Sequence, residues 1–177
     1  ALAIHTAILV AFLAASSTPT PLYRLYQQAW GFSSTILTMC TLLLAGSLSD
    51  YIGRRPVIAL ALLLEMTAMA IFLLAGSSAW LIAARIVQGI ATGLAAAAVG
   101  AALLDLNRER GPLVNSIAPM VGMAIGALGS TGVLVHAAAP LRTSYLILLV
   151  VFAAALAALR LTPETAARQP GAWASLK

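Results

Sequence analysis

Two ionisable side chains sit inside apolar runs of this 177-residue sequence: Glu65 within "VIALALLLEMTAMAIFLLAG" and Arg85 within "AWLIAARIVQGIATG". If both runs are helices crossing hydrocarbon, Arg85 lies roughly 9 Å and Glu65 roughly 13 Å from its own end, at ~1.5 Å per residue. In a core of about 30 Å the two then differ in depth by under ~10 Å, within reach of long side chains on antiparallel neighbours. A charged group there costs at least ~2.5 kcal/mol, so each should face the bundle interior or a wet cavity. Such a pair could form, or exchange, an intramembrane ion pair that senses protonation. The alternative is that Glu65 stays protonated and hydrogen-bonds a neighbouring helix, while Arg85 snorkels outward.

A third cluster lies in "GSLSDYIGRRPVI", Gly46 to Ile58, between two apolar runs. Asp50 falls at the carboxyl end of the preceding run, where a helix dipole disfavours an acid, and therefore needs cationic partners. Arg54 and Arg55 follow closely, and Gly53 permits the tight reversal that returns them beside it. Other chemistry is thinly represented. The single cysteine, Cys40, cannot form an internal disulfide, and no metal-ligand spacing occurs. A serine hydrolase would need a histidine against Ser130. His136 is six residues along the same segment and so off its face, and His5 lies toward the other end of the first run.

These residues are set in a chain that is 62% hydrophobic and 8% charged. A water-soluble domain runs near 25% charged, so the bilayer is the solvent here. The formal charge of +5 comes from cations scattered singly or in pairs between apolar runs. This pattern orients a membrane protein and excludes nucleic acid as a partner. Cutting at charges, prolines and polar clusters gives six segments, about 1–18, 33–49, 57–75, 79–104, 113–137 and 144–161. Roughly 20 residues cross the hydrocarbon, so five are long enough. The second is short: Ile36 to Ser49 is about 21 Å of helix and needs Phe32 to Thr35 to approach a full span. Backbone unsatisfied in lipid is not tolerated, which makes the segments helices and the fold an all-α polytopic bundle. Residues 162–177 form a polar tail.

With alternating spans, the loops at 50–56 and 105–112 and the tail share one face, which holds Arg54, Arg55, Arg108, Arg110, Arg168 and Lys177. The opposite loops hold Arg24 and Arg142. The positive-inside rule makes the first face cytoplasmic, with the tail returning there. Tyr23, Tyr26, Trp30, Trp80 and Tyr145 then fall near the outer interface, where amphipathic rings settle. Asp105, Arg108, Glu109 and Arg110 read as a solvated turn with the arginines capping the fourth helix.

The run Gly46-Ser47-Leu48-Ser49-Asp50-Tyr51-Ile52-Gly53-Arg54-Arg55 resembles the loop signature G-x-L-x-D-x-x-G-R-[RK] between helices 2 and 3 of the major facilitator superfamily. "RIVQGIATG" is similar to that superfamily's R-x-x-Q-G-x-x-x-G helix, with Arg85, Gln88, Gly89 and Gly93 in register. The resemblance implies the amino-terminal six-helix half of a twelve-helix carrier, whose carboxy-terminal half, or a second copy, completes the substrate path. It further implies that Asp50 and Arg54 belong to a gate latch on the cytoplasmic side. In the fifth span, "SIAPMVGMAIGALGS", Ala118 precedes Pro119 and Met123 follows Gly122, where antiporters of the superfamily carry G-x-x-x-G-P-x-x-G-G; the antiporter pattern is departed from while a kinked glycine-rich helix is retained, and uptake and efflux both stay open.

Small residues complete the expectation. Gly89 and Gly93, then Gly122, Gly126 and Gly129, recur at helical steps that let helices approach closely in lipid. The first helix ends in "ASSTPTPLY", where Ser16, Ser17 and Thr18 are candidates to line a cavity before Pro19 and Pro21 stop the helix. The expected function is secondary, proton-coupled transport of a small solute across a bacterial inner membrane by rocking of two bundles, with no cofactor, no metal and no enzymatic step. A bundle that does not transport, or that must pair with a separate chain, is the competing expectation.

Overall fold

A computed structural model describes residues 1–22 and 53–162. Within them run five helices: α1 (Leu2–Ser17), α2 (Arg54–Leu74), α3 (Ser78–Leu106), α4 (Gly111–His136) and α5 (Pro140–Leu159). Five stretches, Leu2–Leu22 and the four later helices, are long and apolar enough to cross a membrane. They lie over five of the six apolar segments. The remaining one, 33–49, lies outside the described residues, as do Gly46, Asp50 and the tail from 163 onward. The protein is an all-helical membrane bundle.

Local chemistry sets the helix ends. Gly53, the N-cap of α2, has φ 109°, a conformation in which any side chain would be strained. Between α3 and α4 the reversal is short because Asn107 Oδ1 accepts the backbone N–H groups of Glu109 (3.1 Å) and Arg110 (2.8 Å). A Cβ on Gly111 would stand 2.5 Å from the carbonyl oxygen of Leu103, so only glycine lets α4 start against the last turn of α3. Prolines open both α4 and α5, where a missing N–H costs little. None of the described helices has a side-chain N-cap bond.

Chain direction alternates from α2 to α5, and α1 runs parallel to α4. That follows from the close approach of the two. A Cβ on Gly122 would meet the Val10 carbonyl oxygen at 2.6 Å, and one on Gly126 would collide with the Ala14 carbonyl and the Ser17 hydroxyl. Gly129, next in the same series, has open space and contributes nothing to this contact. Gly89 and Gly93 are buried on α3. α5 closes the bundle through two aromatic pairs: Phe152 meets Phe12 of α1 edge-on at 5.2 Å, and Tyr145 stacks on Phe72 of α2 at 4.8 Å, with the ring planes 2° apart. The outward faces carry apolar side chains such as Met120 (75% exposed) and Leu128 (74%), as lipid requires.

Candidate functional site

The last turn of α1 cannot satisfy itself. The Ala15 carbonyl would accept from the N–H of residue 19, and residue 19 is proline, which has none. The missing donor arrives from α3, where Gln88 Nε2 donates to Ala15 O at 3.3 Å. One turn earlier on the same face of α3, Arg85 Nη1 donates to Ser16 O at 3.2 Å. A cation and an amide of α3 thus cap the exposed carbonyls of α1, where the helix dipole is negative.

Gln88 also joins the two buried ionisable groups. Its Oε1 accepts from Arg85 Nη1 at 2.5 Å, and its Nε2 donates to Glu65 Oε1 of α2 at 2.9 Å. The orientation of the amide is forced. A guanidinium has only donors, so the amide oxygen must face Arg85 and the nitrogen must face Ala15 and Glu65. Glu65 and Gln88 are fully buried and Arg85 is 1% exposed, so Arg85 does not snorkel. Its guanidinium carbon lies 5.7 Å from the ring centre of Phe72, the ring on which Tyr145 stacks.

The sequence places Glu65 and Arg85 at similar depth, and the structure brings them together in a three-member chain in which Gln88 is hydrogen-bonded to both. Glu65 Oε2 has no hydrogen-bond partner. A carboxyl so placed can hold a proton on one oxygen while the other stays bonded to Gln88.

Ser16, Ser17 and Thr18 do three different things. Ser16 Oγ lies 3.3 Å from Thr92 Oγ1, one helical turn beyond Gln88 on α3. Ser17 donates to Ala14 O and to Met123 O of α4, both at 3.0 Å, and so joins helices. Thr18 is buried and donates to Ala14 O at 2.8 Å. Ser130 donates to Gly126 O at 2.7 Å and His136 Nδ1 lies 2.9 Å from Gly132 O, so the serine–histidine contact a hydrolase needs is not made.

At the other end of the bundle, Arg54 Nε lies 3.3 Å from Asp105 Oδ2, and Arg55 Nη2 donates to the Arg160 carbonyl at 2.9 Å. The first turn of α2 is thereby tied to the last turn of α3 and the C-cap of α5. The sequence marks Asp105 as part of a solvated turn. Its role as partner of Arg54 is legible there only in that α2 begins and α3 ends on the same side of the membrane. Gln88 as the bridge and Phe72 as the platform under Arg85 escape sequence reasoning, because both depend on how α2 and α3 are rotated toward each other.

A search among curated proteins finds no match. The sequence model of the Major Facilitator Superfamily matches residues 2–176, nearly the whole chain. A helical membrane bundle with a buried ionisable chain between three of its helices thus carries that family's sequence pattern almost end to end, and the chain belongs to the Major Facilitator Superfamily, whose members are membrane transporters.

Proposed function

We propose that this chain is the amino-terminal half of a proton-coupled secondary transporter of a small solute, and that Glu65 carries the coupled proton. The observation that supports this most strongly is the Glu65–Gln88–Arg85 chain, buried and anchored on the carbonyls of Ala15 and Ser16. When Glu65 is ionised, its charge and that of Arg85 compensate each other across one amide. When Glu65 takes up a proton, Arg85 keeps its charge and leans harder on the α1 carbonyls, so protonation changes how α1 is held against α2 and α3. A group that interacts differently with two conformations shifts their populations, which alternating access requires.

Arg54 and Arg55, with Asp50 and Gly46 outside the described residues, form the latch of this reading. They lie on the cytoplasmic face by the positive-inside rule, with the tail on the same side and the bacterial inner membrane as the location. The partner of the latch is a carboxy-terminal six-helix half or a second copy.

The test is transport across a compound panel by the full-length protein in proteoliposomes under an imposed pH gradient. The proposal expects at least one solute whose flux follows the gradient, and a Glu65→Gln protein whose flux does not. Gradient-driven flux that is unchanged in Glu65→Gln would remove Glu65 from the coupling.

A further inference from the structure

Phe72 follows Glu65 on α2 by about two helical turns, a spacing that puts both on one face. Arg85 is held by both. Toward Glu65 it is joined through Gln88, and toward Phe72 its guanidinium carbon stands 5.7 Å from the ring centre. The Phe72 ring is itself stacked on Tyr145 of α5, with ring centres 4.8 Å apart and planes 2° from parallel. All three side chains are buried, Tyr145 and Arg85 at 0% and 1% exposure and Phe72 at 3%.

A ring attracts a cation over its face, where its quadrupole is negative, and repels one at its edge. What Phe72 does for Arg85 therefore depends on what fixes the plane of the ring. A parallel neighbour fixes it, because tilting Phe72 would drive its edge into Tyr145. The contact matters most when Glu65 is protonated. Arg85 then keeps its charge without a counter-charge, where an uncompensated cation is costly, and the ring, Gln88 Oε1 and the Ser16 carbonyl remain among its partners. Other ionisable groups are remote. Among the described residues the next buried one is His5, ten residues before Ala15 on α1 and so about 15 Å along the helix. Arg142, one turn before Tyr145, is exposed.

Resting on the transport reading above, we propose that Tyr145 is a positioning residue: its ring holds the face of Phe72 toward Arg85 and makes α5 part of the coupling chain. Without it the chain joins α1, α2 and α3. With it, a displacement of α5 against α2 tilts the Phe72 ring and loosens the guanidinium, so the fourth helix is sensed as well.

The test follows arginine side-chain N–H signals by proton–nitrogen NMR on the full-length protein in lipid nanodiscs, with Arg85 identified by the signal lost in Arg85→Lys. Ring current displaces a proton above a ring face upfield. The expected result is an upfield Arg85 signal that is lost in Phe72→Leu and kept in Tyr145→Phe. In Tyr145→Leu and Tyr145→Met the displacement falls about twofold or more, as the ring divides its time between face and edge. Melting temperature checks that each variant is folded. A residue that only fills the core would lower the melting temperature and leave the signal in place. An Arg85 signal with no upfield displacement, one equal in Tyr145→Leu and the unaltered protein, or one lost as fully in Tyr145→Phe as in Tyr145→Leu would each overturn the role of Tyr145. A pH step separates this from the transport reading. Movement of the Arg85 signal with pH that disappears in Glu65→Gln supports both, whereas equal movement in Glu65→Gln would remove Glu65 from the coupling and leave the ring geometry standing.

Discussion

Gln88 Nε2 donates to the carbonyl oxygen of Ala15, the carbonyl from which Pro19 withholds its helical donor. A break in α1 and a side chain of α3 are therefore parts of one structure. Proline frees the acceptor and glutamine fills it. The same amide then has one hydrogen left for Glu65 and one oxygen for Arg85.

This pairing predicts thermodynamic coupling between residues 19 and 88. Replacing Gln88 with Met keeps the length but leaves Ala15 O, Glu65 Oε1 and an Arg85 N–H without that partner. It should lower stability by about 1–3 kcal/mol in detergent unfolding. Pro19→Ala restores a backbone donor for Ala15, so Gln88→Met should cost less in the Pro19→Ala background. A double-mutant cycle that gives zero coupling would contradict the role assigned to Pro19.

Arg54 and Asp105 are 14% and 40% exposed, and pairs so placed contribute about 0–1 kcal/mol. Arg54→Ala and Asp105→Ala should leave thermal stability within that range. A latch, by contrast, acts on the balance of conformations. Each variant should shift the accessibility of cysteines placed at the two ends of the bundle, and the exchanged pair Arg54→Asp with Asp105→Arg should partly restore the original pattern. A large loss of stability in either single variant would mark the pair as structural.

Glycines 126 and 129 are one helical turn apart and should differ sharply. A methyl group at Gly126 collides with backbone of α1, so Gly126→Ala forces α1 and α4 apart and should cost about 1–3 kcal/mol. Gly129→Ala meets nothing within 4 Å and should be neutral or slightly stabilising. Equal effects in unfolding measurements would refute the α1–α4 contact.

Spans are readable from sequence because hydrocarbon admits little but uninterrupted apolar helix, so a run such as 57–75 has almost no alternative to crossing the membrane. The alignment of Arg85 and Gln88 on one face of α3 is also legible, since their spacing is that of a helical turn. What stands between Glu65 and Arg85 is not. Their depths follow from residue counts, but the rotation of α2 against α3 depends on side-chain packing that no single helix encodes. Pro19 can be read as withholding a backbone donor, but not as the helix stop that the sequence suggests, since residues 19–22 are helical again; the identity of the group that satisfies Ala15 requires the neighbouring helix.

The most direct measurement of whether Glu65 carries a proton is infrared difference spectroscopy of the full-length protein in lipid as pH is stepped across the working range, with and without Glu65→Gln. The account predicts a protonated-carboxyl band that appears and disappears with pH in the unaltered protein and is missing from Glu65→Gln. An identical set of carboxyl bands in the two proteins would contradict it.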